Sequence, residues 1–70
     1  MIVLGIDPGY ERCGFAVIEK TKNHLQLHHF GIIKTNARDP FPIRLQEIGQ
    51  DVQTLVNQYK PDILAIEDLF

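Results

Sequence analysis

The sequence predicts an α/β fold in which three strands, one helix and a fourth strand follow one another along the chain. Three observations predict it. The chain opens with the continuous apolar run IVLGI, which is typical of a strand covered on both faces. An apolar stripe at helical spacing follows at residues 45–59, and the short apolar run DILAIE comes after it. A strand reached through a helical crossover is normally parallel to its neighbour, so the predicted sheet is mixed.

Composition limits what the chain can be. Its 70 residues allow one domain, and 44% of them are hydrophobic, as in ordinary soluble globular proteins. Cys13 cannot form an internal disulfide and is expected to be a small buried hydrophobe, and no segment resembles a signal peptide or membrane span, so we expect a cytoplasmic protein. The net charge of −2 lacks the basic excess usual in nucleic-acid-binding domains. The sequence is still apolar at its last residue, so we expect a fragment of a longer domain.

The first strand ends at Asp7, and Pro8 and Gly9 follow it directly. Proline followed by glycine predicts a type II turn, with a positive φ at Gly9, that leads into a second strand at residues 13–19. The polar loop KTKNH then connects to a third run, residues 25–35, whose partial alternation is typical of an antiparallel strand near a sheet edge.

The helix is predicted from its start signal, its apolar stripe and its stop signal. Pro42 marks the start, because a proline in the first turn of a helix loses no hydrogen bond. Gly49 costs about 1 kcal/mol relative to alanine within a helix, so we expect it to pack closely against the sheet. The helix should run to about Lys60 and end at Pro61. Its apolar stripe comprises Leu45, Ile48, Val52, Leu55 and Tyr59.

Two apolar strands of the predicted sheet end in an acid, Asp7 in the first and Glu67 in the fourth. If these strands are parallel neighbours, the two carboxylates meet at one edge of the sheet, in strands about 4.8 Å apart. Gly5 and Ala65 lie two residues before the acids, on the same face, and leave room for a bulky ligand. Open α/β sheets bind ligands where the chain changes direction in this way. Two adjacent carboxylates repel unless a cation separates them, and Mg²⁺ is the natural candidate.

GIDPG followed by a hairpin, and PDILAIEDLF after an amphipathic helix, resemble the N-terminal part of the RuvC-type Holliday junction resolvases. The resemblance covers essentially the whole chain. It implies a ribonuclease H-like fold, with residues 1–70 as the N-terminal part of a single nuclease domain without its C-terminal helices and last strand. It also implies a homodimeric endonuclease that resolves four-way DNA junctions by two-metal hydrolysis with two Mg²⁺ ions, in partnership with a branch-migration motor.

Carried onto this sequence, the resemblance makes Asp7 and Glu67 the catalytic, metal-binding acids, with Asp7 bridging both ions. Phe70 falls where the family has an aromatic residue near the junction bases. Arg12, beside Asp7, is a candidate DNA-phosphate contact, and a local pair with Glu11 is the alternative. The family's two further acids lie in a C-terminal helix that this chain does not contain, so we expect the 70 residues to be inactive alone.

Simpler interpretations stand beside these. Asp7 could be a turn former before Pro-Gly, and Phe70 could belong to the core. Asp68 should point away from Glu67 and be an ordinary polar residue. The three histidines suggest a metal cluster, but the adjacent pair points to opposite faces of the sheet, so solvated or edge-strand positions are expected for His24, His28 and His29.

Two other functions are also open. The first hairpin of actin-like ATPases and sugar kinases follows an Asp-x-Gly and cradles ATP phosphates, although that loop generally has Ser or Thr where this chain has Tyr10. The chain also departs from the RuvC-type resolvases at one position of this hairpin, because they often have Thr where this chain has Cys13. The other function is a non-catalytic interaction module built from a truncated nuclease fold, which the missing basic charge and the apolar end favour.

Overall fold

The computed structural model describes residues 1–9 and 12–66, which form four strands and one helix in the predicted order. The strands are β1 (Ile2–Asp7), β2 (Arg12–Lys20), β3 (Leu25–Lys34) and β4 (Ile63–Ile66), and the helix α1 (Phe41–Tyr59) lies between β3 and β4 in sequence. The order in the sheet is β3-β2-β1-β4. β1 pairs antiparallel with β2 and parallel with β4, which confirms the mixed sheet.

The core lies between one face of the sheet and α1. Leu4, Val17 and Cys13 are fully buried, and Leu55 of α1 packs against them. The buried position expected for Cys13 is therefore confirmed. Burial of each larger side chain contributes about 1.5–3 kcal/mol. The buried residues among those described are Leu4, Ile6, Cys13, Val17, Ile33 and Leu55.

The helix begins and ends where its proline signals predict. Pro42 lies in the first turn of α1, after the N-cap residue Pro40. At the other end, Lys60 adopts a left-handed conformation with φ 47°, and its backbone N–H donates to the Val56 carbonyl oxygen at 2.8 Å. This is an αL-type C-cap, and Pro61 then prevents the helix from continuing.

The packing of α1 differs from the predicted stripe in two places. Leu45 is 49% exposed, and Val56 packs against the core in addition to the predicted residues. The prediction for Gly49 is wrong: a Cβ at this position would have no described atom within 4 Å, leaving aside neighbouring residues and the helix's own backbone. Gly49 therefore faces open space, because the stripe that packs is centred on Leu55 and turns this residue away from the sheet.

The turn after β1 also differs from prediction. No described glycine has a positive φ, so Gly9 is not the left-handed residue of a type II turn. A side chain at Gly9 would instead clash with the backbone carbonyl of Arg12. Glycine is needed here because the chain leaving β1 passes very close to the start of β2.

The face of the sheet opposite α1 carries exposed apolar side chains. Phe30 is 69% exposed and Ile32 is 53% exposed, and both alternate along β3 with residues on the α1 side, such as the buried Ile33. No described element covers this surface, which we call the open face. Asp7 lies on it.

Candidate metal centre

Asp7 is the last residue of β1 and is exposed. Leu4 and Ile6 are buried towards α1, so alternation along the strand places Gly5 and Asp7 on the open face. The Asp7 carboxylate makes no hydrogen bond or ion pair with a described residue. An exposed carboxylate at the end of a central strand is available to bind a cation.

Beside Asp7 the open face forms a depression of about 500 Å³. Its lining includes Asp7 and four small residues from three neighbouring strands: Gly5, Gly14, Ala16 and Ala65. The room predicted beside the acid from Gly5 and Ala65 is confirmed. Gly14 and Ala16 were not predicted, because their position depends on the register of β2 against β1.

Gly14 lies directly opposite Asp7 in the β1–β2 ladder. A Cβ at this position would lie 3.5 Å from Asp7 Cβ and 4.0 Å from Asp7 Oδ2. A methyl group there would make ordinary van der Waals contact, whereas a larger side chain would occupy the space beside the carboxylate. Gly14 therefore keeps one side of Asp7 open.

The pairing predicted to bring the two acids together is present up to the residue before each of them. In the parallel β1–β4 pair, Gly5 lies opposite Ala65 and Ile6 opposite Ile66. Glu67, which follows Ile66 in sequence, lies outside the described residues, and so do Asp68 and Phe70. The predicted meeting of Asp7 and Glu67 therefore remains a prediction, supported by the observed register.

Arg12 is the first residue of β2, is exposed, and lies opposite Lys34 of β3. Its side chain makes no hydrogen bond or ion pair with a described residue. The alternative, a local pair with Glu11, is not tested because Glu11 lies outside the described residues.

Two of the three histidines have partners that do not involve a metal. His28 Nε2 lies 2.8 Å from Glu19 Oε1, within hydrogen-bonding distance. The His29 ring lies 5.2 Å from the Phe15 ring and 6.2 Å from the Tyr59 ring, between β2 and α1. Within residues 1–9 and 12–66, no three or more His, Cys, Asp or Glu side chains are grouped as a metal site. Of the two acids predicted to bind the metal, Asp7 is the one that lies within the described residues.

The negative charge of Asp7 influences Cys13, which begins the buried part of β2. Burial raises the pKa of the Cys13 thiol, and the nearby Asp7 carboxylate raises it further, while a backbone hydrogen bond with Gly9 acts in the opposite direction. The thiol is therefore protonated near neutral pH. A protonated thiol is a poor nucleophile and a poor metal ligand, so Cys13 acts as part of the core.

Comparisons with known proteins decide the family. The sequence profile described as crossover junction endodeoxyribonuclease RuvC matches residues 3–70. This chain belongs to the RuvC family. A RuvC from Petrotoga mobilis is 44% identical over 70 residues, which cover 100% of this chain and 43% of that relative. A RuvC from Brevibacillus brevis is 41% identical over 70 residues, with 100% and 42% covered.

Solved RuvC structures share the fold of this RuvC-family chain. T. thermophilus RuvC in complex with Holliday junction substrate superposes with a TM-score of 0.91 at 28% identity, covering 100% of this chain and 45% of that one. A second Thermus thermophilus RuvC structure gives 0.87 at 30% identity, covering 100% and 44%. The ribonuclease H-like α/β fold is therefore confirmed. The chain spans less than half the length of these relatives, and the kinase-like alternative has no support from them.

Proposed function

We propose that residues 1–70 are the N-terminal part of a single ribonuclease H-like nuclease domain, and that the full-length protein is a structure-selective endodeoxyribonuclease that resolves Holliday junctions. The observation that carries the proposal is the exposed Asp7 carboxylate, which has no described partner and lies beside a depression lined with small residues. Membership of the RuvC family, whose named relatives are crossover junction endodeoxyribonucleases, supports it.

Of the residues that would bind Mg²⁺, Asp7 is the one that the structure describes. Asp7 would supply a hard oxygen ligand at the carboxyl end of β1, and no cationic side chain among the described residues pairs with it. Glu67 would be the second ligand, because β4 runs parallel to β1 and the observed pairing ends one residue before each acid. Two further acids would come from a later part of the full-length chain. Two Mg²⁺ ions held by these acids would supply an activated water and would stabilise the leaving 3′ oxygen.

The remaining residues of the proposed site act on the DNA itself. Gly5 and Gly14 have no side chain and Ala65 has only a methyl group, so the depression would let the sugar-phosphate backbone approach Asp7 closely. Arg12, exposed on the same face, would hold a phosphate of the strand. Phe70 would stack on an unpaired base near the junction centre.

The proposal includes the assembly of the full-length protein. It would act as a homodimer, since two symmetric nicks at a junction require two active sites, and it would work with a branch-migration motor in the cytoplasm. Binding of a four-way junction is supported by the T. thermophilus RuvC structure, which contains a Holliday junction substrate. None of the helices among the described residues is long and apolar enough to cross a membrane.

The test is a cleavage assay with the full-length protein on a synthetic four-way junction and on a linear duplex of the same sequence. The proposal predicts paired, symmetric nicks in the junction with Mg²⁺, none with EDTA, and little cleavage of the duplex. The separate 70-residue chain should cut neither substrate, because it lacks two of the four acids. Equal cleavage of both substrates, or junction cleavage in EDTA, would contradict the proposal.

One observation favours a second candidate, a non-catalytic interaction module: apolar residues such as Phe30 are exposed on the open face. Sedimentation of the 70-residue chain at several concentrations tests it. Self-association by this chain, together with no affinity of the full-length protein for a junction or for Mg²⁺, would favour the interaction module over the nuclease.

A further inference from the structure

Two cations lie opposite each other at the end of the β2–β3 ladder. Arg12, the first residue of β2, pairs in register with Lys34, the last residue of β3. Opposed residues in an antiparallel pair have Cβ atoms about 4.5–5.5 Å apart, and like charges in these positions destabilise the sheet. Neither side chain makes a hydrogen bond or ion pair with a described residue. The described residues therefore leave two adjacent positive charges without an anion.

Both cations lie on the open face, with Asp7. Cys13 follows Arg12 and is buried on the α1 side, and Ile33 precedes Lys34 and is buried there too. Because side chains alternate along a strand, Arg12 and Lys34 lie on the opposite face. Both are exposed.

The spacing relates this pair to the proposed metal site. Gly14 lies opposite Asp7, and Arg12 is two residues before Gly14 on the same strand. At about 3.4 Å per residue, Arg12 is displaced about 7 Å along the sheet from Asp7, and Lys34 lies one strand further away. Arginine and lysine side chains are long enough to reach an anion between this position and the depression at Asp7.

A neighbouring arginine shows a different arrangement. Arg44 is half-buried, and its Nε donates to Thr35 Oγ1 at 3.1 Å. Its guanidinium is thus engaged with the residue after Lys34 from the α1 side. Arg12 and Lys34 lack such a described partner, so they are the cations that this end of the sheet presents on the open face.

We propose that Arg12 and Lys34 together bind one backbone phosphate of the DNA strand, beside the depression at Asp7. The inference rests on the proposed nuclease function. The arginine guanidinium can bind phosphate oxygens in a bidentate manner and the lysine ammonium adds a point charge, so one phosphate relieves the repulsion between them. The pair positions the strand without reading its sequence, because phosphate contacts carry no base information. The pair also gives this chain, whose net charge is −2, a local positive site that can attract the DNA backbone.

The test measures binding of the full-length protein to a synthetic four-way junction in EDTA, across a range of NaCl concentrations. The variants are Arg12→Gln and Lys34→Gln, and the matched control is Lys22→Gln, which removes one exposed cation from the turn between β2 and β3 at the other end of the sheet. Each variant of the pair should weaken binding about tenfold at 0.1 M salt and reduce the slope of log K against log salt by about 1, to the same extent on junctions of different sequence. Lys34→Arg keeps the positive charge and should bind the junction as the wild type does. The control, Lys22→Gln, should leave both the affinity and the salt slope unchanged.

Three results would overturn the inference. Unchanged affinity and salt slope in both glutamine variants, with Mg²⁺-dependent cleavage by the wild-type protein intact, would exclude the phosphate pair and leave the proposed function standing. A loss of thermal stability with an unchanged salt slope would show that the cations are neutralised within the protein. A wild-type protein that neither binds nor cuts the junction would overturn the proposed function and this inference together.

Discussion

Asp62 and Ile2 make two reciprocal hydrogen bonds at the point where β4 begins beside β1. The Asp62 backbone N–H donates to the Ile2 carbonyl oxygen at 2.8 Å, and the Ile2 backbone N–H donates to Asp62 Oδ2 at 2.8 Å. These bonds hold β4 in the register that places Ala65 opposite Gly5. A residue before the strand thereby helps to position the proposed metal site at its far end.

Removal of this side-chain contact should destabilise the protein. Asp62→Ala leaves the Ile2 N–H without its acceptor, and we expect a loss of about 1–2 kcal/mol in the free energy of unfolding. Asp62→Asn keeps an oxygen that can accept the same hydrogen bond, so it should lose less. Urea unfolding of the full-length variants measures both changes, and equal stability of wild type and Asp62→Ala would show that the contact is not needed for the register.

Gly49→Ala should stabilise the protein. The glycine lies inside α1, and no described side chain or neighbouring element lies within 4 Å of its Cβ position, so alanine gains helix propensity without a clash. We expect a gain of about 0.5–1 kcal/mol in the free energy of unfolding, measured with urea. A loss of stability would instead reveal a close contact to Gly49 from a part of the protein outside the described residues.

Gly14→Val should reduce cleavage while the fold is kept. The added Cβ makes ordinary contacts at 3.5 Å or more, but the two methyl groups fill space beside Asp7. We expect single-turnover junction cleavage to fall by about 100-fold, because a small displacement of the reacting phosphate is costly to catalysis. Gly14→Ala should cause a smaller loss. Wild-type cleavage by a stably folded Gly14→Val protein would show that this side of the carboxylate is not used.

Stability should decrease in strongly alkaline solution through Cys13. Its pKa in the folded protein lies above the ordinary value of 9.0, chiefly because of burial. Below about pH 9 the thiol is protonated in both the folded and unfolded states, so its contribution is constant. As the pH rises from there through the folded pKa, only the unfolded state ionises, and the free energy of unfolding falls.

The difference in the free energy of unfolding between wild type and Cys13→Ala isolates the effect of the thiol, since other groups that titrate in the same range are common to both proteins. Urea unfolding at pH 8, 9 and 10 should show the wild type losing its advantage over the variant as the pH increases. Asp7→Asn removes one cause of the raised pKa, so the folded pKa moves towards the unfolded value and the total loss of stability should be smaller. A pH-independent difference would contradict the assigned cause.

The sequence allowed the order of elements and the position of the first acid to be predicted, because both depend on local signals. The apolar run before Asp7, the 3.6-residue period of α1 and the prolines at its two ends each act over a few residues. The parallel pairing of β4 with β1 followed from the rule that governs helical crossovers.

What the sequence could not predict depends on register and on side-chain direction. The depression at Asp7 includes Gly14 and Ala16 because β2 pairs with β1 in one particular alignment, and no spacing within either strand specifies that alignment. Gly49 was misplaced because a helix position beside the apolar stripe can face the sheet or solvent. Gly9 serves a close backbone approach instead of a positive φ, a tertiary constraint that a Pro-Gly pair alone does not reveal.

The central claim is that Asp7 holds the catalytic metal of a junction-cleaving nuclease, and Asp7→Asn in the full-length protein tests it most directly. The variant keeps the size of the side chain and removes the charge, so it should fold and bind a four-way junction as the wild type does. Mg²⁺-dependent cleavage should fall by at least about 100-fold, since loss of a metal ligand removes several kcal/mol of transition-state stabilisation. Junction cleavage by Asp7→Asn at the wild-type rate would contradict the account.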